Sequence, residues 1–409
     1  MSVAPRSSTL IGRARPSLAF WIVAATFTAT TVLGTVPTPL YRLYQQQGGY
    51  GNFVATIIFA FYAFGILGAL IFAGHLSDLF GRRAVLICAT GVSALSALTF
   101  CLSTSLPALL AGRLLCGIGT GMVTTAATAY LTDLNERARP GRGAQLASVT
   151  STACNLGGLG IGAAMSGLVA STLPQPLFTP YLIALVLLVV ALPMALMTPE
   201  TLIPPHPRPR YRIQRATIPV AHRRLFWSAA LASGVAFAIT GLFASQAPNL
   251  IAGALDGAER EDLSGSLSLI VFACAAVAQI FLARGPARRQ VIIALCLLAP
   301  SFAVAVLGVM HHSLAVLLIG AALSGTTAGL CLTGAIATAL AAAPPEHRGG
   351  TLKSTFVVAY SGLALPVIGF GLLSESIGFE AALWVYLAAA VAVTAGLVLG
   401  LTRTGREQG

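Results

Sequence analysis

Charge is the scarcest commodity in this sequence. Only 9% of its 409 residues are Asp, Glu, Lys or Arg, against 56% hydrophobic. A soluble chain of this length needs more charge to cover its surface, so a water-soluble globular protein is excluded. The seven cysteines (Cys88, Cys101, Cys116, Cys154, Cys274, Cys296, Cys331) fall inside apolar runs, and none has C-x-x-C spacing. That excludes a disulfide framework and a thiolate metal site and leaves small packing residues. Of six histidines only His311 and His312 adjoin, so no ligand cluster forms and neither metal nor cofactor is expected. No set of Asp, His, Ser or metal ligands gathers at one depth, as an enzyme acting on lipid requires.

What the chain does have is apolar length. Uncharged runs of about 20 residues recur, each enough to cross a bilayer as a helix. We place twelve spans near residues 18–40, 52–73, 84–106, 107–130, 144–170, 177–197, 224–252, 264–283, 291–310, 313–341, 351–373 and 380–401. An even number puts both ends on one side. The net charge of +12 invites a nucleic-acid reading, but position argues against it. Of 24 Lys and Arg, 21 fall at the termini and even-numbered loops, two (Arg42, Arg260) in the opposite loops, and Arg113 inside the fourth span. By the positive-inside rule both termini face the cytoplasm. The basic amino-terminal stretch (Arg6, Arg13, Arg15) leads into a span that runs on to Pro37-Thr38-Pro39, which reads as a retained first helix.

One long connection interrupts the series. Residues 198–222 are rich in Pro and Arg and have no helical apolar period. They divide the chain into a bundle of six spans at 1–197 and another at 223–409. The linker reads either as a cytoplasmic strap between bundles or as a solvated basic segment against lipid headgroups. The halves look duplicated. Leu109-Leu110-Ala111-Gly112-Arg113-Leu114-Leu115-Cys116-Gly117 matches Leu317-Leu318-Ile319-Gly320-Ala321-Ala322-Leu323-Ser324-Gly325 at an offset of 208. Arg142-Gly143 and Arg348-Gly349 match at an offset of 206. Duplicated halves are a transporter feature, with a site expected at their interface near mid-membrane.

Between the second and third spans lies Gly74-His75-Leu76-Ser77-Asp78-Leu79-Phe80-Gly81-Arg82-Arg83. It resembles the signature loop of major facilitator superfamily (MFS) transporters, in which Gly, Asp, Gly, Arg and a second basic residue recur. Gly74, Asp78, Gly81, Arg82 and Arg83 match. The resemblance implies an all-α membrane fold of two six-helix bundles related by a pseudo-two-fold axis. Read alone, Asp78 is a turn residue that caps span 3 or faces water; the resemblance implies instead a cytoplasmic latch meeting the start of helix 11, where a carboxylate gains from the helix dipole. The equivalent loop of the second half, Arg284-Gly285-Pro286-Ala287-Arg288-Arg289, keeps the arginines but has no acid.

Arg113 is the one charge deep inside a span, at a cost of at least about 2.5–3.5 kcal/mol near the bilayer centre. Its repeat partner is Ala321, so the fold does not require it. Arg113 followed by Gly117 resembles the family's helix 4 motif, with Cys116 where Gln is usual. Two readings stand open: coupling or substrate binding, or a structural Arg bonded to helix 1 carbonyls. No acid lies at mid-membrane. Helix 1, where drug antiporters of the family carry a carboxylate, offers only threonines. The run Gly157-Gly158-Leu159-Gly160-Ile161-Gly162-Ala163 resembles the Gly-rich antiporter motif of helix 5, without its proline. Its glycines, Gly158 and Gly162 among them, are expected to pack closely against helix 8, and Gly117 to serve packing in helix 4. Thr31, Gln246 and Asn249, with Phe27 and Phe243, are the cavity candidates. Thr124, Ser233, Thr240, Ser324, Thr326, Thr327, Thr333, Phe237 and Tyr62 are on the wider list.

The resemblance therefore implies a monomeric cytoplasmic-membrane transporter, with small-molecule substrate, lipid bilayer and protons as partners and nucleic acid excluded. The expected task is export of drug-like or antibiotic-like compounds. The alternative is uptake or uniport of a metabolite.

Overall fold

The computed structural model describes residues 15–74, 76–139, 144–202, 217–219 and 222–406. Arg6, Arg13, Arg142, Gly143, Glu407 and most of the 198–222 linker lie outside the described residues.

In hydrocarbon a backbone has no water to bond, so long apolar runs fold as helices. Twelve are long and apolar enough to span: α1 Pro16–Gly48, α2 Asn52–Ala73, α3 Arg82–Leu102, α4 Leu106–Ala138, α5 Gln145–Thr172, α6 Thr179–Leu196, α7 Arg223–Ala254, α8 Glu261–Leu282, α9 Ala287–Met310, α10 Leu314–Ala341, α11 Pro345–Ile377 and α12 Phe379–Arg403. No strand occurs among the described residues. The fold is an all-α membrane protein of two six-helix bundles, α1–α6 and α7–α12.

The two largest departures from the sequence reading are in α1 and α4. The first span was expected to end near residue 40. Instead the helix loosens at Gly34–Pro37, takes a 3-10 turn at Thr38–Leu40 and continues through Tyr41–Gly48. Pro39 sits in that turn, where its missing N–H costs little, so the helix resumes. The fourth span runs to Ala138 rather than 130. Its last polar turns are held by Arg137, whose guanidinium donates to the carbonyls of Glu200 (3.3 Å) and Thr201.

The repeat seen in sequence reappears as packing. Gly112 lets α4 approach Phe100 of α3, and Gly320 lets α10 approach Ala305 of α9. Gly117 sits against the Tyr62 carbonyl of α2, as Gly325 does against the Val271 carbonyl of α8. At each place an added methyl group would overlap the neighbour. Small residues at matched positions thus build both bundles alike.

The bundles meet along two seams, α2 with α11 and α5 with α8. The second seam corrects the expectation for the helix 5 glycines. Gly160 and Gly167 face Leu269 and Glu261 of α8, whereas Gly158 and Gly162 face Thr31 and Val32 of α1. The glycines alternate between two neighbours because residues two apart on a helix point to different sides.

Candidate functional site: the cavity between the bundles

A cavity of about 240 Å³ lies between the bundles. Helices α1, α2, α4, α5, α7, α8, α10 and α11 contribute to it, twice as many as the four expected (1, 4, 7 and 10). Not one of its lining residues is charged. Phe59 and Tyr62 of α2 line one side, and Phe237, Phe356 and Tyr360 of α7 and α11 the other. Phe237 and Tyr360 meet edge to face, with centroids 5.0 Å apart. Polar lining comes from Thr35, Thr120, Thr124, Thr128, Ser151, Thr152, Asn155, Thr240 and Gln279.

Most of those hydroxyls are already occupied. Thr124 donates to the Thr120 carbonyl (2.7 Å), Thr128 to the Thr124 carbonyl (2.7 Å) and Thr240 to the Ala236 carbonyl (3.1 Å). Thr35 donates to the Leu159 carbonyl. Thr120 differs: its buried hydroxyl has no partner among the described residues.

The cavity is shut on the arginine-poor side by polar contacts between bundles. Arg42 pairs with Glu259 at 2.8 Å, and Gln46 donates to the same carboxylate. Asn249 donates to Asn52 (3.1 Å), Asn52 to Ser374 (2.7 Å), and the Phe53 N–H to Glu375 (2.9 Å). In the opposite direction the lining extends to Thr128, Gln279 and Ile336, near the arginine-rich ends of their helices. There Lys353 of α11 donates to the Ile71 carbonyl of α2 (2.9 Å).

The cavity candidates named from sequence do not line this space. Thr31 donates to the Cys154 carbonyl of α5 (2.9 Å) and is buried. Phe27 is buried in the core around Tyr130, and Phe243 packs on Phe302. Gln246 and Asn249 bond to each other at the closed end (2.9 Å). Of the wider list, Thr124, Thr240, Phe237 and Tyr62 do line it, and Ser233, Ser324, Thr326, Thr327 and Thr333 do not. Sequence reasoning missed Asn155 and Gln279, because it drew its candidates from spans 1, 4, 7 and 10 while these two lie on α5 and α8.

Arg113 is fully buried behind the cavity wall. Its Nη1 donates to the Gly34 carbonyl of α1 (2.7 Å) and its Nε to the Ile58 carbonyl of α2 (3.4 Å). The rings of Tyr41, Phe59 and Tyr62 surround the guanidinium at 5.9, 5.5 and 4.9 Å. Cation–π contact and carbonyl bonds offset the desolvation. Arg113 is not among the lining residues, and its buried Nη2 has no hydrogen-bond partner among the described residues.

The signature loop is built on a left-handed glycine, Gly81 (φ 100°), between the short helix Leu76–Phe80 and α3. The Glu200 carboxylate accepts from the N–H groups of Arg82 (2.9 Å) and Arg83 (3.1 Å), satisfying the start of α3. Arg82 pairs with Asp78 (2.6 Å) and with Asp133 of α4 (3.4 Å). Gly74 closes α2, where an added methyl would crowd the Leu70 carbonyl. Asp78 is exposed and pairs with Arg82; among the described residues it makes no bond to α11. The first turn of α11 is held instead by Thr217, whose N–H donates to the Gly350 carbonyl (3.3 Å).

Residues 17–352 match the Major Facilitator Superfamily, and the chain belongs to it. An uncharacterized MFS-type transporter of Methanocaldococcus jannaschii, MJ1560, is 28% identical over 151 residues, 37% of this chain and 38% of that protein. The match thus spans well under half the length of that curated relative. Three solved structures share the fold. The human organic anion transporter MFSD10 (TETRAN) aligns with a TM-score of 0.67 at 18% identity, covering 95% of this chain and all (100%) of that one. The nucleoside transporter NupG aligns at 0.75 and 11%, covering 94% and 99%. A bacterial homolog of the human lysosomal transporter Spinster, inward-facing and occupied, aligns at 0.70 and 16%, covering 96% and 97%. At such identities the likeness concerns the fold alone. By family and fold the protein is a multi-pass membrane protein of the Major Facilitator Superfamily.

Proposed function

We propose that this protein exports uncharged, amphiphilic drug-like or antibiotic-like molecules across the cytoplasmic membrane, as a monomer with both termini in the cytoplasm. The observation that carries this reading is the cavity lining: aromatic rings and hydroxyls, with no charge. A charged cargo taken out of water there would lack a counter-ion, at a cost of several kcal/mol by order of magnitude. A neutral cargo pays no such penalty. The cavity is shut toward the arginine-poor side and reaches toward the arginine-rich side, so by the positive-inside rule it faces the cytoplasm. Rocking of the bundles about the α5–α8 seam would then expose it to the outside.

Proton exchange belongs to this reading as the energy source, through Asp78 or another acid at a helix end. The same uncharged lining favours a second reading, facilitated uptake or uniport of a neutral metabolite, because the lining holds no carboxylate, histidine or lysine. Proteoliposomes separate the two. Saturable, protein-dependent flux of a neutral amphiphile is expected, with accumulation against its gradient when a proton gradient is imposed. Saturable flux that only runs downhill, with or without the gradient, would select the uniporter. Preferred transport of permanent cations would sink the neutral-cargo reading.

A further inference from the structure

Two carboxamides line the cavity, Asn155 from α5 and Gln279 from α8. Both are half-buried, and neither makes a side-chain hydrogen bond among the described residues, in contrast to the occupied threonines around them. Each sits in a π-helical turn, Asn155 in Ala153–Gly157 and Gln279 in Ala278–Leu282. Such turns are rare and concentrate at functional sites, since the extra residue re-aims the side chains beside it. The third π turn, Ala69–Ala73 of α2, carries no polar side chain. Polar side chains thus appear only in the two π turns that border the cavity.

Their relative depth follows from helix register. Along the antiparallel seam Gly160 faces Leu269 and Gly167 faces Glu261. Continuing that register puts Asn155 level with residue 273. Gln279 lies six residues nearer the arginine-rich end, about 9 Å along the axis. The aromatic side chains of Phe237, Phe356 and Tyr360 are on α7 and α11 of the same cavity. A free carboxamide offers both donors and an acceptor and carries no charge.

We propose that Asn155 and Gln279 set substrate specificity as a two-point amide site, one point in each bundle. The cargo is an elongated neutral molecule with an uncharged hydrogen-bonding group, amide or hydroxyl, toward each end and an aromatic or apolar body between. This deepens the neutral-cargo reading above and rests on it.

A matched series of probes tests it on the full-length protein in detergent, by thermal shift and equilibrium binding. 2,6-Diacetamidonaphthalene carries two amides, 2-acetamidonaphthalene carries one, and protonated 2,6-bis(aminomethyl)naphthalene is a dication on the same rings. The diamide is expected to bind the wild type about tenfold more tightly than the monoamide, the weight of one good hydrogen bond. Asn155→Leu and Gln279→Leu should each weaken the diamide by about tenfold. The near-isosteric pair Asn155→Asp with Gln279→Glu, which guards against a misfolded Leu variant, should reverse the preference toward the dication. Equal affinity for diamide and monoamide, unchanged in every variant, overturns the two-point site and leaves the neutral-cargo reading standing. Tighter binding of the dication to wild type overturns both. Failure of all three probes to bind wild type overturns the two-point site.

Discussion

Arg113 illustrates how a single residue decides the shape of a cavity it does not line. Its guanidinium joins the Gly34 carbonyl, where α1 loosens, to the Ile58 carbonyl of α2, and lies 4.9 Å from the Tyr62 ring. Gly34 and Tyr62 are both cavity wall. Arg113→Ala should therefore lower the apparent melting temperature, reflecting loss of about 1.5–3 kcal/mol for a charged hydrogen bond plus the packing of the side chain. Arg113→Lys should recover less than half of this, because a point charge replaces a planar fork that spans two carbonyls and stacks on rings. Thermal unfolding in detergent measures both. An Arg113→Ala protein as stable as wild type, yet blind to every ligand, would return Arg113 to direct cargo binding. This residue was legible in sequence because a charge in an apolar span stands out, and because Ala321 occupies its repeat position. Thr31, Phe27 and Phe243 were misplaced because the face a residue presents depends on helix rotation, which apolar runs leave undetermined. Asn155 and Gln279 were overlooked because they lie on α5 and α8, outside spans 1, 4, 7 and 10, and their aim depends on π turns with no sequence signature.

At the scale of elements, the turns that reverse the chain between spans repeat across the two halves. Gly81 precedes α3 with φ of 100°, and Gly285 precedes α9 with φ of 92°. A side chain in that backbone region costs roughly 1–2 kcal/mol. Their surroundings differ: a methyl group at Gly81 would run into the Glu200 carboxylate, whereas at Gly285 it would meet open space. Gly285→Ala should lose only the backbone term. Gly81→Ala should lose that and also disturb the carboxylate that caps Arg82 and Arg83, an additional ~1 kcal/mol. The difference in melting temperature between the two variants measures the cap, and equal losses would mean that Glu200 simply moves aside. The turn itself could be read from sequence, because Gly and paired Arg between uncharged runs mark a membrane-surface bend. Glu200 could not, being 118 residues distant from the Arg82 N–H it accepts from. Helix ends behaved similarly: α4 outran its apolar stretch because the carbonyls that hold Arg137 come from beyond α6.

On the scale of the whole molecule, the two ends of the bundle interface are fastened differently. The arginine-poor end has Glu259, held by Arg42 and Gln46, then the Asn249–Asn52–Ser374 chain and the Glu375 carboxylate on the Phe53 N–H. At the arginine-rich end Lys353 meets a backbone carbonyl of α2, and Asp78 turns to its own loop. A state closed at the arginine-poor end is the expected consequence. Removing two of these fastenings, each worth about 0.5–1.5 kcal/mol, should shift the balance roughly 5- to 100-fold toward opening there. Asn52→Ala combined with Glu375→Ala makes that change without touching the cavity, since a Gln oxygen would still accept from the Phe53 N–H. Spin labels at Gln47→Cys and Ala258→Cys, both exposed and on opposite bundles, would report it as a longer-distance population in pulsed EPR, in a background lacking the seven native cysteines. Opening at one end requires closure at the other, which is where Asp78 would meet the first turn of α11 and gain from its dipole. Adding Asp78→Asn to the Asn52→Ala, Glu375→Ala protein should then move the population back toward the short distance. If the longer distance persists unchanged, Asp78 is a turn residue and not a latch; if it never appears, these contacts do not hold the end shut.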